Sequence, residues 1–180
     1  GAANGLIAGN FGASGQSCVA GSRGLVHRPI LERLIAKITE KAKGIVVGDP
    51  LAADTHLGPL CTEAQINTIK ATLRKAQSQG AIIHFGGTPL DRAGNFMAPT
   101  LVECASAETE TLKVEMFGPV MSLLPFDTEE EALALANDSD FGLGSGIFTQ
   151  NLARAHRVSA RIRSGICWVN TYRAISPIAP

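Results

Sequence analysis

Apolar residues recur along the chain with two periods, and the switches between them mark out its elements. Ile30, Leu31, Leu34, Ile35 and Ile38 fall on one face of a helix that takes Pro29 in its first turn, while Glu32, Arg33, Lys37, Glu40 and Lys41 face water. Gly44 ends that helix. A second amphipathic helix is predicted from Glu63 to Gln79, with Ile66, Ile69, Leu73 and Ala76 inward and Gly80 as its stop. Asp127 and Thr128 precede a third, Glu129 to Asn137, whose acidic first turn complements the helix dipole. Asn151 to Ala160 is the last helix, and the apolar run from Ala2 to Phe11 reads as a short buried one at the start.

Strands are predicted at 24–27, 81–85, 97–102, 121–126, 141–149 and 165–170. The run Met121 to Phe126 is almost continuously apolar, the pattern of a strand buried on both faces. The stretch holding Cys167, Trp168 and Val169 reads as a final buried strand. Pro99 argues for a sheet edge or a strand start. Val46 to Gly58 is a turn-rich loop, and Glu108 to Glu115 is polar and expected on the surface. Strands alternating with helices predict an α/β fold: an open, largely parallel sheet with helices on both faces and active groups at the carboxyl ends of the strands. Asn170-Thr171-Tyr172-Arg173 follows such an end, on the expected functional rim.

Composition narrows the function classes. The 180 residues suffice for one domain with a real core. Formal net charge is zero and no lysine or arginine run stands out, so the positive field needed by nucleic acid or an anionic membrane surface is missing. No apolar stretch is long enough to span a bilayer, and the first residues lack the pattern of a signal peptide. Cys18, Cys61, Cys104 and Cys167 form no Cys-x-x-Cys pair and no metal-ligand cluster, so no metal is expected and the thiols are read as reduced, in a cytoplasmic compartment. The chain starts without methionine and inside a helix, as a piece of something longer would.

The candidate chemistry lies between Phe11 and Arg23. Gly12, Ala13, Ser14, Gly15, Gln16 and Ser17 make a bend poor in side chains that ends on Cys18, leaving a thiol open to a substrate from several directions. Cys18 is the candidate nucleophile; the competing reading is a small buried apolar residue. Glu115 and Phe117 read, on local sequence alone, as a surface acid and a core aromatic ahead of a strand. Of the four histidines, His27, His56, His84 and His156, none is placed by a motif.

Three stretches together resemble the aldehyde dehydrogenase superfamily: Gly15-Gln16-Ser17-Cys18 with Ala20-Gly21-Ser22-Arg23 behind it, Glu115-Met116-Phe117-Gly118-Pro119, and Gly165 to Tyr172 around Trp168-Val169-Asn170. The resemblance covers essentially the whole chain. It implies that Cys18 attacks an aldehyde carbon as a thiolate, giving a thiohemiacetal that passes hydride to NAD or NADP and a thioester that is hydrolysed to the acid. It also implies an oxyanion donor in the Cys18 backbone N–H, cofactor contacts from Glu115 and Phe117, and a substrate pocket involving Ser17, Val19 and Ile175. Gln65 matches a possible cofactor contact but reads equally as a solvated helix residue. Phe11 either lines the aldehyde path or fills the core, and Arg173 either binds an acidic substrate group or makes a rim salt bridge. Cys61, Cys104 and Cys167 are expected to be inert.

On this resemblance, residues 1–180 are a partial catalytic domain, with the nucleotide-binding domain, the general-base glutamate and the oligomerisation segment absent. The chain alone is therefore expected to be inactive, while intact members act on small aldehydes as homo-oligomers. Two other classes stay open: a non-enzymatic remnant that binds intact subunits, and a cysteine-dependent hydrolase or acyl carrier, for which no histidine is placed near Cys18.

Overall fold

The computed structural model of the chain describes residues 1–174. Its centre is a four-stranded sheet of β1 (Arg23–His27), β2 (Ile82–Phe85), β3 (Thr100–Glu103) and β4 (Val120–Phe126) in the order β1-β4-β3-β2. β4 runs parallel to β1 and β3, and β2 closes the edge antiparallel to β3. The β4 register explains the apolar run. Val120 and Leu124 enter a core under helix α3 (Glu63–Ser78), with Ile66, Ile69 and Leu73. Met121 and Leu123 enter the opposite core with Phe11, Leu31, Ile35 and Ile38, covered by α1 (Ala2–Phe11) and α2 (Leu31–Ala42). Alternate residues of a pleated strand point to opposite faces, so burial on both sides calls for apolar residues at nearly every position; Ser122 is the buried polar exception.

Caps behave as the side chains dictate. Thr62 accepts from the backbone N–H of Gln65 to start α3, and Thr128 accepts from that of Glu131 to start α5 (Glu129–Asn137). Phe11 is buried and meets Phe85 edge-on with ring centroids 6.4 Å apart, so of its two readings the core one holds.

The α/β class holds, with a largely parallel central sheet and helices on both faces, while two local expectations need correction. Besides that sheet, β5 (Gly144–Ile147) and β6 (Ile166–Val169) make a separate parallel ribbon, joined by α6 (Leu152–Ser159). The first and last strands of the alternation are thus not hydrogen-bonded neighbours, a matter of register that periodicity does not encode. Within the ribbon only Trp168 is buried, while Ile166 and Val169 are each 40% exposed, so the final strand is not a buried one. Pro99 marks a strand start, one of its two expected places: β3 follows it inside the sheet, and the first N–H of that strand, from Thr100, donates to Pro119 O. The stretch 108–115 is not all surface. It folds into α4 (Glu110–Lys113), and Thr109, Thr111 and Leu112 are buried, with Thr111 Oγ1 3.6 Å from Cys104 Sγ. Alternation of polar with apolar residues over a single turn was too short to reveal the buried side.

α5 and α6 are tied by ions. Arg154 and Arg157 both reach Glu129, the latter with Nε 2.6 Å from Oε1, and Arg161 forks onto Glu130. The Arg157 hydrogen bonds, helped by Arg154 and opposed by partial desolvation, pull the Glu129 carboxyl from 4.5 down to about 2. A carboxyl lowered on folding stabilises the fold above its unfolded value and loses that contribution as pH falls toward its folded value. In urea titrations, wild type and Glu129→Gln should differ in midpoint at pH 7 and converge between pH 4.5 and 2. A gap unchanged over that window would show the network to be inert.

Candidate active site

The Cys18 loop leaves the end of α1 through a backbone few sequences adopt. Ala13, Ser14 and Gly15 follow one another in the left-handed region, with φ of 54°, 55° and 71°. Two of the three carry a Cβ, so the surroundings must hold them there. Several contacts do. Gly21 N–H donates to Gly9 O and closes the loop at its neck (3.2 Å). The buried Asn10 side chain donates to Val120 O (3.0 Å), and Ser14 Oγ donates to Gly58 O (3.0 Å). The Cys61 backbone N–H donates to Gln16 Oε1 (3.2 Å). Ala20 N–H donates to Ser17 O, so Ser17 to Ala20 is a turn with Cys18 at its second position.

Cys18 is exposed, as the candidate nucleophile should be and as a sealed core thiol would not. Among the described residues none accepts from its backbone N–H, which leaves that group free for an oxyanion. Ser17 and Val19 beside it are half-buried. A Cβ placed on Gly144 would come 3.6 Å from Val19 Cγ1, so Val19 leans toward the start of β5. Ile175 lies outside the described residues. Cys104 is buried, which pushes its thiol up; Cys167 is half-buried; Cys61 is exposed like Cys18.

The second motif meets this loop through bare backbone. A Cβ built on Gly15 would sit 2.0 Å from Gly118 O, so only glycine lets the Cys18 loop lie against the segment Glu115 to Pro119. In that segment Met116 and Gly118 are buried while Glu115 and Phe117 are exposed. Phe117 has φ of 41°, which turns its ring out of the chain's path. Gln65 Nε2 on α3 donates to Met116 O, between the two exposed residues. Gln65 is thus a support of the motif in this fold rather than only a solvated side chain.

The third motif arrives from the ribbon. After β6, the Asn170 side chain (φ 56°) accepts from Thr149 N and donates to Thr149 O, and Trp168 Nε1 donates to Ala174 O (2.7 Å). The Tyr172 ring stacks obliquely on Trp168 at 4.8 Å and lies over Gly9, Gly21 and Gly146, bridging α1, the loop neck and β5.

The site is therefore not on the carboxyl rim of a single sheet. Cys18 precedes β1 and Glu115 to Pro119 precede β4, which puts both at the amino edge of the parallel strands, and the carboxyl end of β6 comes in to meet them. The supporting roles of Asn10, Ser14 and Gln65 escaped the sequence reading, which had Gln65 as a possible cofactor contact or a solvated helix residue. For Asn10 the visible sign was a second asparagine, after Asn4, in an otherwise apolar helix. The histidines stand elsewhere: His84 Nε2 is 2.8 Å from Glu103 Oε2, His56 Nδ1 accepts from Val46 N, His27 lies on Phe126, and His156 is exposed on α6.

Comparisons with known proteins show the family and the fold. The model of the aldehyde dehydrogenase family matches residues 1–180. The chain is 44% identical over 180 residues to the (Z)-2-((N-methylformamido)methylene)-5-hydroxybutyrolactone dehydrogenase of Acinetobacter baylyi, covering 99% of this chain and 37% of that protein. It is 41% identical over 172 residues to betaine aldehyde dehydrogenase of Cereibacter sphaeroides, covering 96% and 36%. The solved betaine aldehyde dehydrogenase of Staphylococcus aureus in complex with NAD+ superposes with a TM-score of 0.95 at 33% identity, over 99% of this chain and 36% of that one. The chain thus spans little more than a third of these relatives. With three motifs in one place on a matching fold, and a family model that runs from the first residue to the last, the chain belongs to the aldehyde dehydrogenase family.

Proposed function

We propose that this chain is the cysteine-bearing part of the catalytic domain of an NAD- or NADP-dependent aldehyde dehydrogenase that oxidises a small aldehyde to a carboxylic acid. The nucleotide-binding domain and the oligomerisation segment then belong to the rest of such a protein, which works as a homo-oligomer in the cytoplasm. The observation that carries the reading is the exposed Cys18 thiol, on a loop whose backbone lies against the motif that presents Glu115 and Phe117. No helix among the described residues is long and apolar enough to cross a membrane.

Cys18 Sγ attacks the carbonyl carbon: the C–S bond forms and the π pair moves to oxygen, where the Cys18 N–H donates to the new oxyanion. Sulfur suits both halves of the cycle, because it is a strong nucleophile and later leaves readily from a thioester when water attacks. Ser17 and Val19 flank the thiol and would wall the aldehyde, a role that the family resemblance extends to Ile175. Glu115 and Phe117 fit a nicotinamide riboside: one short loop offers a carboxylate able to accept from two hydroxyls and an aromatic ring turned outward. Glu115 would hold the ribose and Phe117 the ring. When bound, the nicotinamide accepts the hydride that the substrate carbon loses.

In the full-length protein, Glu115→Ala should raise the cofactor KM by about tenfold or more, the size of a lost charge-assisted pair of hydrogen bonds, with a smaller change in aldehyde KM. Initial-rate kinetics with each substrate varied would check this, and the isolated 180-residue chain should show no turnover in the same assay. An unchanged cofactor KM would remove Glu115 from the site.

A further inference from the structure

Arg173 is held in an unusual way for a residue with no evident duty. Its φ is 62°, it is half-buried, and a Cβ built on Gly12 would meet its Nη1 at 2.7 Å. One nitrogen of the guanidinium thus lies over the first residue of the loop that carries Cys18. Tyr172, next to it, packs on Gly9 and Gly21, the two ends of the loop neck, which ties this segment to the loop.

Yet the charge has no counterion among the described residues. Arg28, Arg154, Arg157 and Arg161 each rest on a carboxylate, and Arg23 and Arg92 reach backbone carbonyls. Arg173 has none among the described residues, and residues 175–180 contain no aspartate or glutamate side chain. Its donors also find no carbonyl acceptor among the described residues. A half-buried fork of N–H groups without an acceptor among the described residues, over the loop that carries the candidate nucleophile, suits an anion from outside.

We infer that Arg173, laid on Gly12 of the Cys18 loop, is a specificity-determining residue that selects aldehydes carrying a carboxylate. This rests on the aldehyde dehydrogenase reading of the same site. Relatives named for betaine aldehyde and 4-trimethylaminobutyraldehyde act on cations, which a half-buried guanidinium repels. Overall identity of about 40% to them therefore does not carry their substrate class to this chain.

Two measurements on the full-length protein test the inference. In the first, Cys18 is alkylated with iodoacetate or with neutral iodoacetamide and the rates are read by peptide mass spectrometry, with the exposed Cys61 as internal reference. The ratio of anionic to neutral rates at Cys18 should fall about tenfold in Arg173→Gln. It should hold in Arg173→Lys, and fall in Gly12→Ala, where an added methyl displaces the guanidinium at an unstrained φ of −54°. The ratio at Cys61 should not follow. In the second, kcat/KM is compared for succinate semialdehyde, butanal and betaine aldehyde. Arg173→Gln should cut the preference for the carboxylate substrate over butanal about tenfold, mainly through KM, and should raise the relative rate with betaine aldehyde.

Unchanged ratios in both measurements would overturn the inference while leaving the dehydrogenase reading intact. A shifted alkylation ratio in a protein that oxidises none of the three aldehydes would keep the anion site and reject the dehydrogenase. If Arg173→Gln unfolds, Arg173→Lys and Gly12→Ala decide alone: a ratio in Gly12→Ala equal to wild type would overturn the assignment.

Discussion

Cys18→Ser in the full-length protein is expected to lower aldehyde oxidation by about four orders of magnitude or more, the scale on which enzymes lose rate when a covalent nucleophile is removed. The substitution keeps the size and nearly the shape of the side chain, so the loop around it should stand. What it removes is the atom able to form the covalent intermediate, because an alcohol needs an adjacent base and none of the histidines stands at the loop. The other thiols are the controls. Cys104 is buried and Cys167 half-buried, but Cys61 is as exposed as Cys18 and its backbone bonds Gln16, two residues away. Cys61→Ser should therefore leave turnover within about threefold of wild type, the ordinary scale of a surface substitution. Formation of reduced cofactor with excess aldehyde reads both variants. Wild-type rates in Cys18→Ser would end the assignment, and loss in Cys61→Ser alone would transfer it.

The second large effect is structural. Gly15→Ala places a methyl where Gly118 O, Gly118 C and Pro119 N would lie at 2.0, 2.2 and 2.8 Å, on a residue whose φ is 71°. All three atoms belong to backbone, so no flexible side chain can move aside. The left-handed conformation alone costs an alanine about 1 kcal/mol, and the overlap must separate the Cys18 loop from the Glu115 motif. A destabilisation of at least about 2 kcal/mol is expected, within the range of backbone strain combined with overpacking, together with a rise in cofactor KM. Denaturant midpoints and initial rates measure the two. Gly44→Ala is the matched control, since its nearest neighbour would be Lys41 O at 3.6 Å and its φ is not in the left-handed range. Equal stability of Gly15→Ala and wild type would mean that the loops do not touch in solution.

Much of the architecture was open to inspection before any coordinates. The helices at 31–42, 63–78 and 129–137 and the doubly buried strand at 120–126 follow from local rules. Side chains three and four apart share a helix face, alternate ones share a strand face, and threonine caps the orphan amides. Cys18 stood out as a candidate from its bend of small residues and was strengthened by motif resemblance, whereas Glu115 and Phe117 were reached through that resemblance alone, since their residue types in isolation read as a surface acid and a core aromatic.

The chain's own order of residues determined which segments are helix or strand, which faces are apolar and which thiol sits in a bend of small residues. Tertiary structure alone decided that β5 and β6 form their own ribbon, that the site gathers at the amino edge of β1 and β4, and that Tyr172 and Arg173 lie on the Cys18 loop. The physical reason is range. Periodicity reports on neighbours within one element, whereas Gly15 against Gly118, Asn10 on Val120 and Arg173 over Gly12 join residues about a hundred or more positions apart, through contacts that depend on the approach of whole elements.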